Sequence, residues 1–184
     1  MSLYALGLDL AAKERRCTGF ASIEIKGEGG YLVEVKCLGN DESILTAVRR
    51  YPNSVVAIDA PIMREPAMRG VDRALISAGS RVFPPNFSWM KSLTLRAWRL
   101  SRELIRMGFD VIETHPRSVI RLAGVSGVEE LLEALNIEGE VSRIKGKDLR
   151  DAVTAAAVAY CFLKTCSEVV SDGAYTIYLV KKIR

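Results

Sequence analysis

Glutamine is absent from this 184-residue chain, asparagine occurs four times and histidine once. So few thermolabile amides beside 26 Lys and Arg lean towards a thermophilic source. A single His115 and four cysteines without a CxxC pair exclude a zinc centre of the usual Cys/His kind. The four, Cys17, Cys37, Cys161 and Cys166, are expected as buried reduced thiols, the first two in strands and the last two in a helix. No apolar stretch approaches the length of a membrane span. Met1-Ser2-Leu3-Tyr4 lacks the basic start and apolar stretch of a leader. A cytoplasmic protein without membrane contact is therefore expected. Repeats, low-complexity segments and linkers are missing too, so residues 1–184 are expected to form one domain.

What is present is an ordinary globular composition, 49% hydrophobic and 26% charged. The net charge of +4 is modest but unevenly placed. Between Arg64 and Arg106 stand nine basic residues against three acidic ones. On a helix, Arg99, Arg102 and Arg106 fall within about a quarter of the circumference, with Trp98 and Trp89 nearby. A basic stripe beside aromatics suits a nucleic-acid backbone, although a solvated helix face has the same pattern.

Hydrophobic periodicity predicts strands over Tyr4–Leu10, Thr18–Lys26 and Tyr31–Leu38, the last two joined by the turn Gly27-Glu28-Gly29-Gly30. A short helix capped by Asn40 or Asp41 follows, then a strand over Ser54–Ile58 and a helix over Ala67–Ala78. A long helix from Ser88 or Ser92 to Met107 precedes a strand over Phe109–Glu113. Short helices are expected at Arg117–Ala123 and Val128–Leu135, an alanine-rich helix at Lys147–Cys166, and a last strand at Tyr175–Val180. Such an order makes a mixed sheet with helices on both faces, where ligands sit at strand ends.

Four acidic motifs fall at these ends: Gly7-Leu8-Asp9, Ala57-Ile58-Asp59-Ala60-Pro61, Val111-Ile112-Glu113-Thr114-His115-Pro116 and Asp148-Leu149-Arg150-Asp151-Ala152. Carboxylates at buried strand tips are costly alone and raise one another's pKa values, and a divalent cation relieves both penalties. Asp148 has a competing reading as a helix N-cap, with Asp151 its favourable third residue. Glu113 either completes the site or pairs with Arg117. His115 is a phosphate contact, a structural group or a general base near pH 7.

Together the motifs resemble the RNase H-like fold, nearest to its Holliday-junction-resolvase branch. The chain is more similar still to domain-of-unknown-function family 429, described as predicted RNase H-like nucleases. The resemblance rests on GLDLAAKERRCTGFA (Gly7–Ala21), AIDAP (Ala57–Pro61), RGVDRAL (Arg69–Leu75), ETHPR (Glu113–Arg117) and KDLRDAVTAAAVA (Lys147–Ala159). It implies an α/β fold with a five-stranded sheet, a three-strand antiparallel meander extended by parallel strands. It implies a nuclease hydrolysing phosphodiesters with two Mg²⁺ or Mn²⁺ ions about 4 Å apart. Asp9, Asp59 and Asp151 would bind metal, with Asp148 and Glu113 as further catalytic groups. Lys147, Arg117 and the Arg99/Arg102/Arg106 stripe would hold DNA or RNA. Resolvase-like relatives act as dimers, so a homodimer is also implied. Two other readings stay open: a non-catalytic module binding nucleic acid or protein, and a small-nucleotide phosphohydrolase or phosphotransferase.

Overall fold

A computed structural model describes residues 2–183. Among them eight strands form one sheet: β1 (Tyr4–Asp9), β2 (Thr18–Lys26), β3 (Gly29–Leu38), β4 (Ser54–Asp59), β5 (Asp110–Thr114), β6 (Ile137–Glu138), β7 (Ser167–Ser171) and β8 (Thr176–Val180). Their spatial order is β6-β3-β2-β1-β4-β5-β8-β7. The antiparallel meander β1-β2-β3 and the parallel run β1-β4-β5-β8 match the expected architecture. The expected five strands become eight. The final strand is present as β8, while β6 and β7 carry no usable pattern. β6 is two residues pairing with Gly30 and Tyr31, too short for periodicity. β7 is the edge strand Ser-Glu-Val-Val-Ser, half solvated on both faces.

Six helices cover this sheet among the described residues: α1 (Asp41–Arg49), α2 (Gly70–Ser77), α3 (Ser88–Arg106), α4 (Pro116–Ala123), α5 (Val128–Ala134) and α6 (Lys147–Leu163). Alternation along the strands splits the core in two. Leu6, Leu8, Val56 and Ile58 point towards α1 and α3, where they meet Ile44, Val48, Leu93, Leu100 and Leu104. Ala5, Val55 and Ala57 point the other way, towards α6 and the shorter α2, α4 and α5. α6 stops at Leu163, short of the expected Cys166, because Thr165 turns the chain with φ 58° into β7.

α6 lies unusually close to the sheet. Every residue from Ala152 to Cys161 is buried, and the alanines keep its surface low. Two glycines do the rest. A Cβ on Gly7 would come within 2.1 Å of the Ala152 carbonyl oxygen, and one on Gly19 within 2.1 Å of the Asp148 carbonyl oxygen. Only a strand without side chains at these points lets the first turns of α6 rest on β1 and β2.

The cysteines depart from expectation. Cys17 and Cys37 form a disulfide, as do Cys161 and Cys166, with Cα separations of 5.2 and 4.5 Å. Cys17 sits just before β2 and Cys166 just after α6, so neither lies in the expected strand or helix. Among the described residues, no helix is long and apolar enough to cross a membrane.

Candidate metal centre

Parallel register sets Asp9 of β1 beside Asp59 of β4. Both follow the alternation of Ala5, Gly7, Val55 and Ala57, so both side chains face α6. Asp151 comes from the second turn of that helix. One carboxylate oxygen of each lies within 4.8 Å of the others. The close seat of α6 on Gly7 and Gly19 makes this convergence possible.

Burial and crowding raise the pKa of two of these acids, Asp9 and Asp59. Burial, then Asp151 and Asp148, push Asp9 up to about 7, with Lys147 opposing. Burial, then Asp9 and Asp151, raise Asp59 well above the carboxylate range. Among the described residues the one salt bridge to the trio is from Lys147 to Asp151. Burial lowers the Lys147 pKa, but its hydrogen bond and charge contact with Asp151 outweigh that and raise it. Three converging oxygen donors with one cation between them suit a hard divalent ion such as Mg²⁺ or Mn²⁺, which would balance the charge the protein leaves unbalanced.

These carboxylates floor a cavity of about 290 Å³. Asp148 lines it but stands outside the trio. It is not the N-cap of α6, a place taken by Gly146, and Asp151 lies beyond the N3 position of its competing reading. Lys147 and Arg117 line the same cavity, and Arg81 joins them. Phe83, Trp89, Met90 and Leu93 form an apolar wall.

Glu113 is placed differently. Register pairs Ile58 with Glu113 and Asp59 with Thr114, so Glu113 is one residue out of phase with the acids facing α6. Its oxygens accept from Arg69 Nη2 at 2.6 Å, Arg69 Nη1 at 2.8 Å and the Ile62 backbone N–H at 2.8 Å. Burial raises its pKa, while Arg69 and the Ile62 amide hold it back. Its partner is thus Arg69, not Arg117. Arg69 also bonds Asp72 through Nη2 at 2.7 Å and Nε at 3.0 Å, forming a buried Asp72–Arg69–Glu113 chain beside the cavity. Asp72 within RGVDRAL is spent internally here.

His115 sits at the N-cap of α4 with Nδ1 at 2.7 Å from Ser118 Oγ. Burial and then Arg117 lower its pKa to about 4, so the ring lining the cavity is neutral at pH 7. Arg99, Arg102 and Arg106 lie exposed farther along α3, around a separate depression with Trp98, and Arg106 pairs with Glu103. None of the three lines the cavity.

Two supporting residues escaped the sequence. Arg96 is buried and bonds the Ala11 carbonyl at 2.6 Å, the Gly39 carbonyl at 3.1 Å and Asp41 at 2.8 Å. It pins the loop that leaves β1 after Asp9, helped by Ala11 N–H donating to Thr18 Oγ1 at 3.2 Å. The available signal was an arginine in the apolar phase of α3, with Leu93, Ala97 and Leu100. Arg81 offered no such signal, since its loop carries no periodicity from which to read the direction of a side chain.

No family model matches the chain, and no curated protein matches it. Solved structures do. RuvC of T. thermophilus in complex with a Holliday junction substrate superposes with a TM-score of 0.58 at 14% identity, covering 89% of this chain and 96% of that one. A second Thermus thermophilus RuvC structure gives 0.50 at 16% identity, covering 90% and 97%. At such identities the likeness concerns architecture: the chain has the mixed α/β, RNase H-like fold that RuvC has.

Proposed function

We propose that this protein is a nuclease of the RNase H-like type that hydrolyses nucleic-acid phosphodiester bonds with bound Mg²⁺ or Mn²⁺. The observation that carries the reading is the convergence of Asp9, Asp59 and Asp151 from β1, β4 and α6. Asp9, Asp59 and Asp151 would hold the metal, with Asp148 close enough to Asp9 to raise its pKa and to join as a further ligand or base. A pair of divalent ions in such a site supplies an activated water and a stabilised leaving oxygen. The protein's own groups do the rest. Lys147, Arg117 and Arg81 give the cavity a cationic side for a phosphate. His115, neutral at pH 7 with its pKa lowered to about 4, lines the cavity as an uncharged hydrogen-bonding group rather than as a proton carrier. Glu113 acts here through structure: it holds the Ile62 amide, three residues after Asp59, and so fixes that strand end.

The RuvC neighbour bound to a Holliday junction supports nucleic acid as the substrate class. The Arg99/Arg102/Arg106 stripe, roughly 25 Å along α3 from Trp89 at its far end, would carry backbone beyond the reacting phosphate.

The test is cleavage of labelled single-stranded, duplex and branched DNA and RNA with Mn²⁺, Mg²⁺ or EDTA. Metal-dependent cleavage lost in Asp9→Asn and in Asp151→Asn is expected. Full activity in either variant would remove the metal-site assignment. One observation, the small volume of the cavity, favours a second reading as a small-nucleotide hydrolase. Thermal protection by ATP but not by DNA or RNA would select it.

A further inference from the structure

The cavity wall above the carboxylates is built from aromatics that folding alone does not require. Phe83 and Trp89 stay 49% and 48% exposed, against a norm of deep burial for rings of this size. They pack on each other edge to face, centroids 5.5 Å apart and planes at 63°. In that arrangement one ring offers only its edge, so π-faces remain for a third ring. Both line the cavity that Asp9, Asp59 and Asp151 floor and that Arg81 and Arg117 border. Their supports are stiff. Phe83 precedes Pro84-Pro85, which fix φ, and the Phe87 N–H closes a turn on the Pro84 carbonyl at 3.0 Å. Trp89 is held by the first turn of α3. Rigid aromatics lose little entropy when a planar ligand settles on them.

From these observations we infer that Phe83 and Trp89 form a subsite for one unpaired nucleobase, next to the phosphate held over the carboxylates. The inference rests on the nuclease reading and names its substrate class: a single strand, or a nucleotide drawn out of its duplex. The volume of about 290 Å³ has room for one base with its phosphate and none for a stacked duplex. Arg81 and Arg117 supply charge for the phosphates on either side. Every base has a π-face, so the subsite accepts all four with little sequence preference.

Trp89 also provides the readout. The chain has two tryptophans, so in a Trp98→Phe background Trp89 is the sole emitter. Metal-free protein is titrated with short oligothymidylate, with an abasic strand of equal length and with a blunt duplex. Saturable quenching by oligothymidylate alone is expected. Trp89→Ala and, separately, Phe83→Ala should weaken oligothymidylate binding about tenfold or more, read by anisotropy of a labelled strand, and leave abasic-strand binding unchanged. Trp89→Phe should restore most of the loss. Both residues are half exposed, so melting temperatures should stay near wild type.

Equal quenching by abasic and base-bearing strands, no quenching, or an unchanged affinity ratio in Trp89→Ala overturns the subsite. Cleavage with Mn²⁺ in the absence of such quenching removes the subsite and leaves the nuclease reading. Quenching without any metal-dependent cleavage does the reverse.

Discussion

Arg69 clasps Glu113 through two hydrogen bonds of 2.6 and 2.8 Å, both side chains buried, while its remaining donors hold Asp72. The Tyr175 ring lies 5.2 Å from the guanidinium and closes the pocket around it. A buried arginine with two carboxylates tolerates the loss of neither. Glu113→Gln is expected to destabilise the protein by about 3 kcal/mol, the low end for breaking a buried pair, because Asp72 still holds Arg69. Urea denaturation measures this. The rise in melting temperature on adding Mn²⁺ should survive the substitution. Its loss would make Glu113 a metal ligand.

The order of elements was legible because the strands that matter are apolar and end beside acids: Tyr4–Leu10 and Ser54–Ile58 read as buried strands without tertiary knowledge, and strands stand at Tyr4–Asp9 and Ser54–Asp59. Asp9 and Asp59 could be named for the same reason, whereas Asp151, on a helix, was named through the resemblance. Glu113 was ambiguous in one dimension. Its strand is short, and the face it shows depends on register with β4, which only pairing determines. β7 was hidden by its polar edge composition, the Cys17–Cys37 disulfide by a separation of 20 residues, and the Cys161–Cys166 disulfide by the turn at Thr165 that ends the helix between them. The Phe83-Pro84-Pro85 loop was legible in sequence as a cover over the strand tips, and the structure has Phe83 and Arg81 lining the cavity there; which of its side chains face the cavity comes from packing rather than pattern.

The contact between Gly19 and α6 leads to a second prediction. Gly19→Ala puts a methyl group where the Asp148 carbonyl oxygen stands, 2.1 Å from the new carbon. The helix must lift or the strand must bend. A loss of about 1–3 kcal/mol is expected, the usual range for overpacking. The lift also carries Asp151 away from Asp9, so Mn²⁺ affinity should fall together with stability, read by calorimetry. Unchanged affinity in a destabilised variant would mean that the helix does not set the carboxylate spacing.

Asp59 gives a prediction with opposite signs in two conditions. Its carboxylate is buried against Asp9 and Asp151, so its charge opposes folding when no cation is present. Asp59→Asn keeps the shape and removes the charge. Without metal at pH 8 the variant should melt higher than wild type, by roughly 2–4 °C for each kcal/mol of relieved strain. With saturating Mn²⁺ the order should reverse, because wild type gains binding energy that the variant lacks. A variant less stable than wild type in both conditions would point to a hydrogen-bonding role for Asp59 instead.

His115 makes the stability depend on pH in a defined window. Its pKa falls from 6.5 in the unfolded chain to about 4 in the fold, through burial and the nearby Arg117, against the pull of Asp151 and Asp72. Between those values the unfolded chain binds the extra proton and the folded one does not, so stability is full above pH 6.5 and declines as pH falls towards 4. The loss at the acid end is on the order of 1–3 kcal/mol, discounted for the partial exposure of the ring. Denaturation midpoints of wild type and His115→Gln, measured across pH 4–7, isolate the contribution as the difference between the two slopes. The wild-type curve should fall more steeply with acid. Parallel curves would mean that the imidazole titrates in the fold as it does in the open chain, and its reading as a neutral hydrogen-bonding group of the cavity would lose its basis.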